Sequence, residues 1–486
     1  MASKRKIPVP QESFDNYVLK DSKRIYPSME CLTSDETMEL ERRVRRLIHF
    51  EDAARVPYQV ADYVSNWLSG KPGFEERKLL DEPEENDKKK KYFFRDYGDG
   101  DAMIIVKEGE LPITKGFNLV IAHSDSPCLL IKPKPVRIEW SEDRQYYHLG
   151  VRLSATSHGG LSYHQWPAQQ VRILGYAIDK DRKRINIDIP GYIPDTSAHT
   201  DYRQEQEVKD AFPPDETSEI TLGHTSLEET LDTFGFESID DFSQAKLFAV
   251  PTTTPLPMDE RTWRLLCAYG HDDRVSVFSA VSAIARVRPD LTSIVWLEDN
   301  EEVGSGPPTG LGGNFIDIAL DYLLIKHEKN IGEKIDERAR KRLLLNSSWL
   351  YADLCPAPYG YDADSMDVDN APKIGLGMYI EAQKSSISNL DYLRKLRNLA
   401  LRGSSQGNNI CYQMVGEIYH QNKQDTWFYD FTGGSCLRQM GQWIREVGIP
   451  GATLHSPNEI ICPGDEYAFF QFLTRYFKHN TGIGGR

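Results

Sequence analysis

Nowhere in these 486 residues does an apolar run approach the ~20 residues that a bilayer-spanning helix needs. The first ten residues carry charge with no apolar core behind them, so no secretory leader is expected and the cytoplasm is the expected address. Paired cysteines are missing as well. The seven cysteines, Cys31, Cys128, Cys267, Cys355, Cys411, Cys436 and Cys462, are odd in number and include no Cys-x-x-Cys. That pattern argues against a disulfide framework or a thiolate zinc site and for reduced, packed thiols. Basic charge is also short, with 58 Lys and Arg against 73 Asp and Glu and a net charge of -15. A phosphate backbone rewards the opposite balance, so nucleic acid is not an expected partner. There is no internal repeat, and the glycine-rich stretch 304–313 lacks the Gly-Lys-Ser/Thr ending of a phosphate loop, which leaves a tight turn before a helix.

What is present is a soluble globular composition, 40% hydrophobic and 27% charged, long enough for two or three domains. Residues 35 to 70 read as helical from a cap at Ser34 or Asp35 to a stop at Gly70. The charged run from Glu82 to Lys91 reads as a solvated loop tip. Strand signals follow at 102–106 and 118–122. From about Leu129 to Val250 the texture turns β-rich, and after Pro257 strands and helices alternate again. The expected fold is α/β: a mixed sheet flanked by helices, built from 1–128 and 254–486 and interrupted by a β-rich dimerisation domain over 129–253.

The apolar run Ser293 to Leu297 breaks into Glu298, Asp299, Glu301 and Glu302, so a buried strand discharges four carboxylates at its end. An isolated Glu-Glu pair is usually a solvated acidic loop, but this one is not isolated. Other apolar runs deliver His123 with Asp125, Asp353 and His455, and the pair Asp272-Asp273 precedes a helix. Histidine and carboxylate without thiolate suit zinc, manganese or cobalt in a hydrolytic site. Two ions about 3.5–4 Å apart need a shared carboxylate, which Asp272 or Asp273 can supply. Neighbouring strand residues point to opposite faces, so one of Glu301 and Glu302 can bind an ion while the other faces the reacting water. Asp125 is expected to accept the spare imidazole N–H of His123. His271 and Cys128 read as structural.

The order of these motifs resembles the aspartyl aminopeptidase and vacuolar aminopeptidase I family of two-metal exopeptidases. The resemblance rests on 122–128 followed by Lys132-Pro133-Lys134-Pro135, on Gly159-Gly160-Leu161 leading to Trp166, on Asp272 with Ser276 and Phe278, on 299–305, on Ala352-Asp353, and on Leu454-His455-Ser456 with Glu459. It implies that His123 and Asp353 bind one ion, Glu302 and His455 the other, with Asp272 between them and Glu301 as general base. It also implies trimming of short peptides from the N-terminus, a dimer within a tetrahedral dodecamer, and a place for His199 near a neighbouring subunit's site. Three departures stand out. Ala168-Gln169-Gln170 replaces the family's Asp-Arg-Asp, Pro356 replaces a histidine, and Gly375 aligns with the lysine of the aspartyl members, with Lys373 two positions away. A neutral first residue of the substrate is therefore expected. The rival readings are a two-metal carboxypeptidase or deacylase, marked by a cation for the substrate carboxylate, and a peptidase-fold scaffold that no longer hydrolyses.

Overall fold

The computed structural model describes residues 26–137, 150–161, 163–179, 183–195, 218–332, 334–360, 366–382, 390–401, 410–416 and 444–479. His199 and Cys436 lie outside them. After a short helix, α1 (Pro27–Glu30), the stretch expected as one helix is two, α2 (Ser34–Ala53) and α3 (Pro57–Ser69). Pro57 has no N–H to give and its ring would strike the preceding turn, so it takes the first position of a new helix while Val56 is extended. The cap of α2 is Thr33, whose side chain accepts from the Glu36 N–H while the Glu36 carboxylate accepts from the Thr33 N–H. This capping box lies one residue before the expected cap.

Four strands come first: β1 (Glu75–Arg77), β2 (Lys91–Arg95), β3 (Met103–Lys107) and β4 (Phe117–His123). The next six form a closed barrel: β5 (Cys128–Arg137), β6 (Arg152–His158), β7 (Gln169–Ile178), β8 (Arg184–Ile193), β9 (Ser218–Thr221) and β10 (Ala245–Pro251), with α4 (Leu227–Phe234) before the last. The chain then returns with β11 (Leu256–Pro257), β12 (Leu266–Ala268), β13 (Thr292–Glu298), β14 (Ser348–Pro356), β15 (Met378–Glu381), β16 (Tyr412–Val415), β17 (Ile444–Ala452) and β18 (Glu459–Ile461). Among the described residues these join β1 to β4 in a twelve-stranded mixed sheet, whose path runs β1-β2-β3-β13-β4-β14-β17-β18-β12-β11.

The centre of that sheet, β13, β4, β14 and β17, is parallel, which requires both faces to be covered. Alternation along the strands does this. Val120, Val295 and Leu350 turn to one core with α2, α3, α5 (His271–Arg286), α8 (Leu390–Leu401) and α9 (Pro463–Lys478). Leu119, Trp296 and Trp349 turn to another, under α6 (Phe315–Ile331) and α7 (Glu337–Asn346). Double-sided burial is why these strands read as unbroken apolar runs. Among the described residues, no helix is long and apolar enough to cross a membrane.

Candidate metal centre

The parallel strands aim their carboxyl ends the same way, and the ligand candidates hang there. His123 closes β4, in register with Glu298 at the end of β13. The chain leaving β13 enters a single turn over Glu301–Val303, closed by Gly304 at φ 98. Asp353 lies within β14, short of its end. Asp272 sits at the start of α5, where it and Asp273 have non-helical backbone angles. His455 follows β17 in a turn, with φ 63.

The side chains of His123, Asp353, Glu302 and His455 converge on Asp272. One carboxylate oxygen, Oδ1, lies 3.3 Å from His123 Nε2, and the other, Oδ2, lies 3.6 Å from His455 Nε2. Asp353 Oδ1 is 3.6 Å from His123 Nε2, and Glu302 Oε1 is 3.6 Å from His455 Nε2. The donors therefore fall into two triads that share Asp272: His123 with Asp353, and Glu302 with His455, each set of ligand atoms within 4.8 Å of one another. Glu301 joins His123 and Glu302 in a third such group. Asp273 does not join; its Oδ2 accepts the backbone N–H of His123 at 3.2 Å.

Both imidazoles are set for metal binding. His123 Nδ1 lies 2.9 Å from the Asp125 carbonyl oxygen, and His455 Nδ1 lies 2.8 Å from that of Gly160. A carbonyl can only accept, so each Nδ1 carries a hydrogen and each ring turns Nε2, the nitrogen a metal would take, toward the carboxylates. Asp272 Oδ1 is buried with no hydrogen bond. Burial and the surrounding acids push the Glu301 carboxyl well above its usual range and Glu302 to about 8. Asp353 rises to about 7 through burial and the nearby Asp272. Such a cluster is expensive unless cations sit within it, and the donor set, imidazole with carboxylate, is one that zinc accepts.

Residues 50–477 match the model of the aminopeptidase I zinc metalloproteases, M18. The chain belongs to that family. M18 membership makes it a zinc-dependent aminopeptidase. A relative named as a probable M18 family aminopeptidase 1, from Thermotoga maritima, is 30% identical over 387 residues, 73% of this chain and 78% of the relative. The fold is shared with the crystal structure of an M18 aminopeptidase from Thermotoga maritima, with a TM-score of 0.78 and 21% identity over 94% of this chain and 99% of the other. It is shared too with the S. cerevisiae mApe1 dodecamer, with a TM-score of 0.69 and 17% identity over 91% and 97%.

Around the M18 cluster stand carboxylates that hold backbone. Asp125 accepts the N–H groups of Glu301 and Glu302, both at 3.1 Å, and Glu459 accepts those of Asp272 at 3.0 Å and His455 at 2.8 Å. The Asp125 carboxylate is also 3.4 Å from His123 Nδ1, with its backbone carbonyl the closer acceptor at 2.9 Å. His158 adds the contact that the sequence reading missed: its Nε2 lies 2.9 Å from Asp125 Oδ2. The Trp166 indole N–H donates to the His455 carbonyl at 3.2 Å. His271 is structural, its Nδ1 2.6 Å from buried Glu51, and Cys128 is packed at 1% exposure.

Proposed function

We propose that this aminopeptidase removes residues one at a time from the N-terminus of short peptides, with two divalent ions, zinc first among them, at the shared Asp272. The observation that carries this reading is the opposed pair of Asp272 oxygens, each facing a different histidine. His123 and Asp353 would hold one ion, Glu302 and His455 the other, and Asp272 both. Bound zinc supplies the Lewis acidity that makes water a nucleophile near neutral pH and polarises a carbonyl. Glu301 is the general base. It stands beside His123 and Glu302 and is not needed as a ligand; it takes the proton of the attacking water and returns it to the leaving amine. Asp125 keeps Glu301 and Glu302 on their separate tasks by holding both backbone N–H groups.

The pocket for the first residue takes a neutral side chain on this reading. Selection of Asp or Glu in a closed site calls for a cation. Gly375 carries none, and its N–H is engaged by Asp465 at 2.6 Å. The Lys373 ammonium donates to the carbonyls of Val368 and Ala371 at 2.7 and 3.3 Å. Self-association through the barrel segment 129–253, up to a dodecamer of the kind named for the yeast relative, a trans-subunit role for His199, and a cytoplasmic address complete the proposal.

The test is a panel of Leu-, Ala-, Asp- and Glu-terminated reporter amides under zinc, cobalt and manganese. Release of the N-terminal residue with a Leu or Ala preference is the expected result. A tenfold advantage for Asp or Glu, about 1.4 kcal/mol, overturns the specificity. Release from the C-terminus marks a carboxypeptidase, and no turnover under any metal marks a scaffold.

A further inference from the structure

The end of β6 and the two residues after it run along the candidate metal centre. His158 meets Asp125, a Cβ on Gly159 would stand 3.0 Å from Glu302 Cβ, and the Gly160 carbonyl accepts from His455. One short piece of the barrel therefore touches the support of both glutamates and a ligand of the second triad. Asp125 is the hub of this arrangement. Fully buried, it receives the N–H groups of Glu301 and Glu302 on different oxygens, and its own carbonyl fixes the tautomer of His123. Besides these, its carboxylate meets His158 Nε2 at 2.9 Å and, at 3.4 Å, His123 Nδ1. The His158 ring is itself wedged edge-on against Phe248 of β10, with ring centroids 5.9 Å apart.

We infer that His158 is a positioning residue for the M18 reaction: its Nε2–H clamps the Asp125 carboxylate in the one orientation that presents an oxygen to each glutamate N–H. The inference rests on the aminopeptidase reading above. Asp125 lies within a loop between sheet and barrel, and rotation of its carboxylate would trade one glutamate contact for the other. The imidazole blocks that rotation. Charge on the ring is not required, because the neutral Nε2–H tautomer donates the same bond. Outer residues that orient ligands typically matter by about 10–100-fold in metal affinity or activity, the scale expected here.

The test compares His158→Gln with His158→Asn. Both are polar and smaller than histidine, but the Gln amide nitrogen reaches about where Nε2 sits, and the Asn nitrogen stops at the position of Nδ1. With a Leu reporter under zinc, Gln is expected within about threefold of the parent kcat, and Asn about tenfold or more below it, with KM changed less than about twofold in both. Hydrogen exchange of the zinc-loaded protein gives a second readout: the peptide covering 298–305 exchanges faster in Asn than in Gln, while the barrel strands exchange alike. Equal kcat in the two variants, a loss confined to KM, or unchanged exchange at 298–305 overturns the inference and leaves the aminopeptidase reading standing. A parent enzyme inactive under every metal overturns both.

Discussion

The two halves of the proposed metal centre are built differently. His123 and Asp353 ride on β4 and β14, hydrogen-bonded neighbours in the middle of a doubly covered sheet, and the His123 side chain is 1% exposed. Glu302 and His455 ride on turns beyond their strands, and the His455 side chain is 29% exposed. A strand inside a sheet orients its side chains without help. A turn does not, and the second half is accordingly braced from the barrel by Gly160, Trp166 and the backing of Gly159 behind Glu302. The barrel segment thus helps to complete the site.

The largest effect should come from the proposed general base, Glu301, which is grouped with His123 of one half and Glu302 of the other. Glu301→Gln should lower kcat by about 10²–10⁴ with both metals retained, while Glu302→Ala should loosen metal on the braced side. Kinetics beside metal content separate the two, and equal metal loss in both variants would show the roles to be misassigned.

Next is Gly159→Ala. Its φ of +77 disfavours a side chain, and the new methyl would stand 3.0 Å from Glu302 Cβ and 3.1 Å from Oε2. We expect affinity for one of two zinc ions to fall by about 10–100-fold, with the other unchanged. Chelator competition would reveal two separated affinities; a uniform loss at both sites would erase the distinction between the halves. A smaller effect is expected for Trp166→Phe, which removes the hydrogen bond to the His455 carbonyl at a cost of about 0.5–1.5 kcal/mol. Thermal unfolding with zinc bound would measure it.

A carboxylate outside the centre provides the control. Burial pushes Asp465 up to about 7 although it accepts the N–H groups of Gly375 and Gly377. The folded state then holds a proton that the unfolded chain has released, so this group's contribution to stability falls as pH rises from the ordinary carboxylate range to about 7. Denaturant titrations should show that decline approaching about 1.4 kcal/mol per pH unit in the parent relative to Asp465→Asn. Parallel pH curves for the two proteins would contradict it.

The sheet-borne half was the more legible in sequence. Val120 and Leu350 sit in apolar runs that end near His123 and Asp353, because parallel strands buried on both faces must be apolar and must stop where the crevice opens. Glu302 and His455 were legible for the same reason, but their supports were not. His158 lies in a β-rich run far along the chain from Asp125, and only closure of the barrel brings the two together. That the Asp125 carbonyl is a nearer acceptor for His123 than its carboxylate depends on a loop path that no spacing encodes. The break at Pro57 was different: the proline itself marks it, because it starts a helix more readily than it continues one.

The central claim is that Asp272 serves two metal positions, one in each half. Zinc stoichiometry at saturation, measured on the dialysed parent and on His455→Ala, tests it most directly. Two ions per chain in the parent and one in the variant, with the remaining affinity close to the tighter parent value, is the expected result. A parent that is fully active with a stoichiometry never above one would contradict the account.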